Sequence, residues 1–415
     1  MNSPALKNRV FLAATAAVAL HVADDNFVQP PAGTTAADHL VSGLVPLALL
    51  GLAAWAYPRV RAGAAGVIAL FVGVSGLVVG LIEAGYYTLE VGPSDDDYSG
   101  FLAGAAGLVL VGLGLLRLWR SRRSGGHWFR RYGRRTLRIV GAVVVAYFVV
   151  LPVAFSYVIA HVAVATVPAP HLGAAYEDVT VTTSDGLELA GWYVPSKNGA
   201  AVIAFHGRTK AQPHARMLAR HGYGVLILDR RGVGHSEGDG SMLGWGGTPD
   251  IHAAVDFLKA RPDVDPGRIG GIGFSVGGEE MLQAAAENPD LAAVVSEGAG
   301  TRQTREQYQE LSAVQFWINA PGLVARDVAH AVFSNHLPPP TLMSLAPRIA
   351  PRPALLIWAP NGGNMETMTP VYAKLIGSSA QVWEMPDAMH MAGLQAQPKE
   401  YERRVVGFFD RALSR

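Results

Sequence analysis

The sequence predicts a chain of two parts: an all-α bundle of about five transmembrane helices, followed by an α/β domain whose mostly parallel sheet is covered by helices on both faces. The 415 residues are 50% hydrophobic and 16% charged, a balance too apolar for one soluble domain and too polar for a wholly embedded chain. Long apolar runs fall in residues 1–167, whereas short apolar strand patterns alternate with helical patterns in residues 168–415. Such alternation predicts an α/β domain.

Five uncharged apolar runs are candidates for membrane spans. About 20 apolar residues are needed to cross a bilayer, so the fifth run is long enough alone and the middle three need modest flanks. The first run is short and follows Lys7 and Arg9, so it is either a span or the apolar core of a signal peptide. The runs occupy roughly residues 10–23, 40–57, 64–82, 101–116 and 139–167.

Charges on the predicted connections indicate an orientation. Lys7 and Arg9 precede the first run, Arg59 and Arg61 lie in the second connection, and nine arginines without any acid lie between residues 117 and 138. The connections between these basic segments carry acids instead, namely Asp24, Asp25, Asp38, Glu83, Glu90, Asp95, Asp96 and Asp97. The positive-inside rule then predicts an integral protein of the cell membrane with a cytoplasmic N-terminus and an extracytoplasmic C-terminal domain.

Composition excludes several classes of function. A net charge of +1 gives no signal for nucleic-acid binding, and the arginine-rich connection is expected to contact anionic lipid headgroups of the bilayer. Cysteine is absent from the sequence, which excludes disulfides, thiolate nucleophiles and cysteine metal sites. Without a metal-ligand cluster or a phosphate-binding loop in the sequence, we expect neither a metal nor a cofactor. The predicted spans carry no mid-span charge, so a transporter is disfavoured.

The motif with the clearest chemistry is Gly273-Phe274-Ser275-Val276-Gly277. A strand pattern precedes it and a helical pattern follows it, the context of a nucleophile elbow. Side chains at Gly273 and Gly277 would collide with the neighbouring strand and helix. The Val276 N–H would lie at a helix N-terminus, where it favours a developing oxyanion. The alternative is a glycine-rich turn with an incidental serine.

Further segments of this half carry a family resemblance. His206-Gly207 follows the third strand pattern, the segment 229–236 (Asp-Arg-Arg-Gly-Val-Gly-His-Ser) follows the fourth, the Ser275 motif follows the fifth, and His390 lies in a loop after a late strand. In this order they resemble the α/β-hydrolase superfamily, whose members include serine esterases and aminopeptidase-like enzymes. The resemblance covers about 240 residues and excludes the apolar half.

The resemblance implies roles for several residues. Ser275 would be the nucleophile, His390 the general base, and the Val276 and Arg208 amides the oxyanion hole. Asp229 and Arg231, which lie in the acidic-arginine-glycine segment of the family, would support the fold.

The acid of the predicted Ser-His-acid triad is less certain from the sequence. The family places an aspartate after the strand that here ends at Trp358, but the loop that follows has Glu366 as its carboxylate. Some related hydrolases place the acid one strand earlier, where this sequence has Glu297. A glutamate can orient the imidazole as an aspartate does. We favour Glu366 and keep Glu297 as the alternative.

An insertion at about residues 299–350 corresponds to the cap of related hydrolases. Its apolar residues could line an acyl pocket, contact the membrane or pack on the core. The sequence therefore predicts a membrane-anchored serine hydrolase that cleaves a small-molecule ester, lipid or peptide, with an ester favoured. The competing hypothesis is a catalytically silent hydrolase fold used for binding or sensing, attached to a functional membrane bundle; the unusual acid loop motivates it.

Overall fold

The chain forms two compact units in the computed structural model. The helical unit comprises Met1–Val158 and Pro321–Asn335, and the α/β unit comprises Ile159–Ala320 and His336–Arg415. The sequence predicted the boundary between the two parts after residue 167, whereas the structure places it after Val158. Pro321–Asn335, part of the predicted cap, belongs to the helical unit. His206, most of the acidic connection at 83–96 and part of the arginine-rich connection lie outside the described residues, which are 3–82, 88, 97–120, 128–161, 167–205, 207–362 and 366–414.

Helices make up most of the described part of the helical unit, and they are apolar except for the arginine-rich first half of the helix that starts at Trp128. Their bounds are α1 Pro4–Ala23, α2 Leu40–Ala56, α3 Ala62–Ile82, α4 Asp97–Arg120, α5 Trp128–Val145 and α6 Leu151–Ala160. Short π-helical stretches, Asp24–Val28 and Ala146–Val150, follow α1 and join α5 to α6.

Four helical segments in the described part of the chain are long and apolar enough to cross a membrane: Ala5–Val28, Ala62–Leu81, Tyr98–Arg120 and Thr136–Ala160. The sequence predicted five. The remaining candidate, α2, has 17 residues and contains Pro46. At about 1.5 Å per residue it is roughly 25 Å long, which is less than the hydrocarbon core of about 30 Å.

Helices α3 and α4 pack closely through glycines. A Cβ atom added at Gly73 would lie 2.7 Å from the Val111 amide nitrogen, and one added at Gly107 would lie 2.7 Å from the Gly73 carbonyl oxygen. Gly66 faces Gly114 in the same way, so the two helices run antiparallel. Small residues let helix backbones approach closely, so that van der Waals contacts can hold helices together where the hydrophobic effect does not.

The α/β unit is built on one eight-stranded sheet. Its order is β1-β2-β4-β3-β5-β6-β7-β8; β2 runs antiparallel to both of its neighbours, β1 and β4, and the other neighbouring strands are parallel. The strands are β1 Glu177–Thr182, β2 Glu188–Val194, β3 Ala201–Phe205, β4 Gly224–Leu228, β5 Ile269–Phe274, β6 Ala293–Glu297, β7 Ala354–Trp358 and β8 Ala380–Glu384. Every residue of β3, β4 and β5 is buried because helices cover both faces of the sheet.

Helices connect the parallel strands and form two apolar layers on the sheet. One layer packs Leu258 and Met281 against Ile203, and the other packs Leu218 and Phe409 against Val202. The helices are α7 Gly207–Lys210, α8 Gln212–Arg220, α9 Thr248–Lys259, α10 Val276–Glu287, α11 Thr304–Glu310, α12 Ala313–Phe333, α13 Leu342–Leu345, α14 Thr369–Ile376, α15 Gly393–Ala396 and α16 Pro398–Ala412. The predicted α/β fold with a mostly parallel sheet is confirmed. The carboxyl ends of its parallel strands meet at one edge, where such sheets bind ligands.

Candidate active site

Ser275 occupies a strained turn between β5 and α10. Its φ of 52° and ψ of −125° lie where residues other than glycine are uncommon. A Cβ atom at Gly273 would overlap the Gly277 carbonyl, and one at Gly277 would overlap the Phe205 carbonyl. The Ser275 amide donates to the Glu297 carbonyl at 2.8 Å. These contacts hold the serine at the tip of the turn that the motif predicted.

The structure brings Ser275, His390 and Glu366 into one hydrogen-bonded chain. His390 Nε2 lies 2.9 Å from Ser275 Oγ, and His390 Nδ1 lies 2.5 Å from Glu366 Oε1. Glu366 is 1% exposed, and its other oxygen accepts from the Ala359 amide at 2.6 Å. A carboxylate fixed at both oxygens can hold the imidazole in one orientation. This geometry is that of a Ser-His-acid triad.

Glu297, the alternative acid, uses its carboxylate elsewhere. One oxygen accepts from the Tyr401 hydroxyl at 2.6 Å and the other from the Gly393 amide at 2.8 Å. The residue is 3% exposed, and burial raises the pKa of its carboxyl above the usual value despite the two donors. Because Gly393 follows His390 closely, Glu297 fixes the histidine loop to α16. The structure thus corrects the alternative assignment: Glu366, and not Glu297, is bonded to the histidine.

Gly298 is a site residue that the sequence analysis missed. It lies directly after β6 with a φ of +77°. A Cβ atom there would lie 3.0 Å from His390 Cε1 and 3.1 Å from Glu366 Oε1. A side chain there would have a strained backbone and would displace the imidazole or the carboxylate by a few tenths of an ångström. A glycine immediately after the strand-end Glu297 was the signal available in the sequence.

The two amides predicted to form the oxyanion hole, those of Val276 and Arg208, differ in their hydrogen bonds. The Val276 N–H begins α10, and no hydrogen bond from it is made within the described part of the chain, as is usual for the first amides of a helix. The Arg208 amide, predicted as the second donor, instead donates to Asp229 Oδ1 at 2.7 Å. Arg208 also binds Asp229 Oδ2 through Nε at 2.8 Å. A buried carboxylate thus engages both the amide and the guanidinium, which corrects the assignment of Arg208.

Asp229 and Arg231 make the structural contacts that the resemblance implied. Asp229 is 1% exposed and holds Arg208, as described above. Arg231 forms ion pairs with Asp250 at 2.7 Å and with Asp185 at 2.9 Å. These pairs connect the segment after β4 to α9 and to the β1–β2 turn.

Helix α10 buries two carboxyl groups directly after the elbow. Glu279 accepts from the Gly300 amide at 3.0 Å, and Glu280 faces Arg230 Nε at 3.2 Å. Burial raises the pKa of each carboxyl to about 7. The sequence reasoning gave neither residue a role, because an acidic pair at the start of a helix looks like an ordinary solvent-exposed first turn.

Comparison with known proteins agrees with this fold. A family model described as X-Pro dipeptidyl-peptidase (S15 family) matches residues 190–346. An uncharacterised protein of Mycobacterium tuberculosis is 36% identical over 128 residues, which cover 29% of this chain and 45% of the relative, so the match spans less than half of that protein. The α/β hydrolase domain-containing protein WAV2 of Arabidopsis thaliana is 28% identical over 237 residues, covering 53% of this chain and 74% of that protein.

Among solved structures, the esterase Pf2001 of Pyrococcus furiosus matches 61% of this chain and all of its own, at 22% identity and a TM-score of 0.48. The sheet order, the elbow after β5 and the family match define the class of this protein. It is an α/β-hydrolase-fold protein preceded by apolar helices compatible with a membrane domain, and residues 190–346 match a peptidase family.

Proposed function

We propose that the protein is a membrane-anchored serine hydrolase that cleaves carboxylic esters through an acyl-enzyme intermediate. The observation that carries the proposal is the continuous hydrogen-bonded chain from Ser275 Oγ through His390 to Glu366. His390 Nδ1–H donates to Glu366, which leaves Nε2 free to accept the serine proton. Ser275 is the nucleophile, His390 the general base and Glu366 the orienting acid.

The steps follow from this geometry. Ser275 Oγ attacks the substrate carbonyl carbon while its proton moves to His390 Nε2. The tetrahedral oxyanion is stabilised by the Val276 amide, a type of contact typically worth about 3 kcal/mol of barrier. The intermediate collapses to an acyl-serine as His390 gives its proton to the leaving alcohol. Water then attacks the acyl-serine as His390 takes the proton of that water, and the second intermediate collapses to the acid while His390 returns the proton to Ser275 Oγ.

A peptide substrate is the second candidate, because the family match at residues 190–346 is to an X-Pro dipeptidyl-peptidase. The test compares a p-nitrophenyl butyrate substrate with an Ala-Pro p-nitroanilide, using the detergent-solubilised full chain. We expect turnover of the ester at a higher kcat/KM, abolished in Ser275→Ala. Preferential cleavage of the anilide would reassign the protein as a peptidase. Absence of turnover with either substrate would favour the silent binding domain.

We also propose that the N-terminus is cytoplasmic and the α/β unit extracytoplasmic. Two hydrogen bonds within the helical unit support this topology, because they place the start of α2 and the end of α6 near the same segment, residues 326–335. Asn335 Nδ2 donates to Ser42 Oγ at 2.9 Å near the start of α2, and Ser156 Oγ donates to the Arg326 carbonyl at 2.8 Å near the end of α6. Arg326 lies in α12 and Asn335 lies two residues beyond its end, so the two residues are at most about 18 Å apart, which is below the thickness of the bilayer core.

The start of α2 and the end of α6 are therefore on the same side of the membrane in this proposal. An even number of crossings must separate them, and α2, α3, α4 and the joined α5–α6 supply four. In this proposal α2 also crosses the bilayer, because local thinning of the bilayer and its flanking residues accommodate a span that is a few ångströms short. A C-terminal fluorescent reporter that matures only in the cytoplasm should remain dark. A bright reporter would overturn the orientation without affecting the proposed chemistry.

A further inference from the structure

Helix α12, in the cap-like insertion, exposes a continuous apolar face. At 100° per residue, the large exposed apolar side chains of α12, together with Pro321, fall within an arc of roughly 120°, as expected for one amphipathic face. Val314 is 70% exposed, Trp317 69% and Val328 61%. No charged residue lies in the arc. We call this face the apolar stripe; it consists of Val314, Trp317, Ile318, Pro321, Val324 and Val328.

The opposite face of α12 packs inside the helical unit. The Gly322 Cβ direction points to Pro152 and Phe148, at 3.5 Å and 3.7 Å. Tyr157 and Phe333 pack edge to face at 5.3 Å between ring centroids. The C-terminal half of α12 thus lies beside the last apolar helical segment, Thr136–Ala160, which has the length and composition of a span.

That neighbouring segment is itself apolar and exposed. Leu151 is 60% exposed and Phe155 55%. The charges on α12 are paired with each other, because Arg326 Nη2 lies 2.6 Å from Asp327 Oδ1 and both side chains are largely buried. Within the helical unit, the C-terminal part of the stripe (Pro321, Val324 and Val328) is therefore an uncharged surface beside a candidate span. Lipid is the partner that matches these properties, and tryptophan is common where such surfaces meet the headgroups.

The N-terminal end of the stripe is connected to the candidate site within the α/β unit. Phe316 packs edge to face on Tyr308 at 5.0 Å and on Trp317 at 5.4 Å. Glu310, at the end of the same short helix as Tyr308, accepts from Thr367 Oγ1 at 2.6 Å. Thr367 is the residue after the candidate acid Glu366. The first turn of α12 thus lies a few side chains from the proposed triad.

From these contacts we propose that the apolar stripe of α12 docks into the lipid bilayer, and that the substrates are amphiphilic esters drawn from the same leaflet. The second statement rests on the proposed function, whereas the first does not. Lipid contact would remove the stripe from water, where exposed apolar surface is unfavourable.

The absence of cysteine makes the docking directly testable. Single substitutions Val314→Cys, Ile318→Cys and Val324→Cys in the full chain would be spin-labelled in phosphatidylcholine nanodiscs. Gln315→Cys, exposed on the same helix outside the stripe, and Lys399→Cys, on the surface of α16, are the controls. Stripe labels should be at least fivefold more accessible to oxygen, relative to a water-soluble nickel relaxant, than either control label.

The alternative outcomes each overturn the docking. Stripe labels as accessible to nickel as Lys399→Cys would mean that the stripe faces water. Labels inaccessible to both relaxants and broadened by spin–spin coupling would mean that a second copy of the chain covers the stripe.

Activity distinguishes the substrate statement from the proposed function. The substitutions Trp317→Glu and Val324→Glu together would be compared with the control Gln315→Glu. We expect the ratio of turnover of a long-chain ester in phosphatidylcholine vesicles to that of p-nitrophenyl acetate to fall at least tenfold in the stripe variant and to change less than twofold in the control. An unchanged ratio would overturn the substrate class. If the parent protein turned over neither ester, the proposed function would fail while the labelling result still decided the docking.

Discussion

The two units of this protein place large apolar side chains in opposite environments. In the α/β unit, Phe205 and Ile272 are fully buried between the sheet and its helices. In the helical unit, Leu20 is 62% exposed, Leu108 65% and Leu151 60%. Exposed leucines on helices of span length are stable in lipid and costly in water. The difference indicates that one unit buries its apolar residues in itself, whereas the exposed leucines of the other are compatible with an apolar solvent.

Polar groups differ between the units as well. The α/β unit buries carboxylates at hydrogen-bonding distance from amides, hydroxyls and guanidinium groups, as with Glu297 and Asp229. The close packing of α3 and α4 depends instead on glycine backbone contacts such as Gly73 with Gly107. We therefore expect single changes of charge to alter chemistry in the α/β unit and single changes of volume to alter packing in the helical unit.

The largest expected effect is on turnover. Glu366→Gln keeps the size of the side chain but removes the charge that stabilises the imidazolium, and it can favour the wrong histidine tautomer. We expect kcat to fall by about 10² to 10⁴ with little loss of thermal stability. Ester hydrolysis and a melting curve of the full chain measure both quantities.

Glu297→Gln is the matched comparison. Its carboxylate binds Tyr401 and Gly393 and does not bind His390, so we expect a lower melting temperature and a much smaller loss of kcat. If Glu297→Gln had a lower kcat than Glu366→Gln, Glu297 at the end of β6 would be the acid instead.

The second prediction concerns pH and the buried carboxyl of Glu280, whose pKa is raised to about 7 from an ordinary 4.5. The folded protein retains this proton to higher pH than the unfolded chain, so the folded state loses stability as pH rises from about 4.5 to about 7. A shift of this size corresponds to roughly 3 kcal/mol. The stability of Glu280→Gln relative to the parent should therefore increase across that window.

Glu384→Gln, on the exposed end of β8, is the control and should follow the parent at every pH. If the difference in free energy of unfolding between Glu280→Gln and the parent stayed constant from pH 4.5 to 8, Glu280 would be ionised throughout that range.

The third prediction concerns the glycine beside the candidate triad. In Gly298→Ala the new methyl group would contact both His390 and Glu366, and a displacement of the imidazole by a fraction of an ångström should lower kcat roughly 10- to 100-fold. Gly186→Ala is the control, because Gly186 also has a positive φ but nothing within 4 Å of its Cβ position. Equal losses in the two variants would show that backbone strain alone is responsible.

How far the sequence predicts this site depends on the range of the interactions. The elbow at Ser275 was predicted because its glycine requirement is local, and the alternating strands and helices follow from short-range patterns. The acid was ambiguous, since Glu297 and Glu366 follow adjacent parallel strands and only the tertiary fold decides which reaches the histidine. The Arg208 amide was misassigned because its acceptor, Asp229, lies 21 residues away in the chain.

The fourth prediction has the smallest expected effect and concerns the helical unit. Gly107→Val would force a side chain against the Gly73 carbonyl oxygen, whereas Gly112→Val, on the same helix, has open space around it. Overpacking of this kind costs about 1 to 3 kcal/mol. Unfolding of the full chain in mixed micelles should show a loss of stability for Gly107→Val relative to Gly112→Val. Equal stabilities would mean that α3 and α4 are not packed through this glycine face.

The central claim is that Ser275, activated by His390, is the nucleophile of the α/β unit. Fluorophosphonate labelling of the full chain, followed by mass spectrometry of the modified peptide, tests it most directly. We expect one adduct per chain, located on Ser275 and lost in Ser275→Ala. In His390→Ala the adduct should form at least 10²-fold more slowly, and both variants should have the melting temperature of the parent. An unlabelled Ser275 in a folded parent protein, or an adduct that forms equally fast without His390, would contradict it.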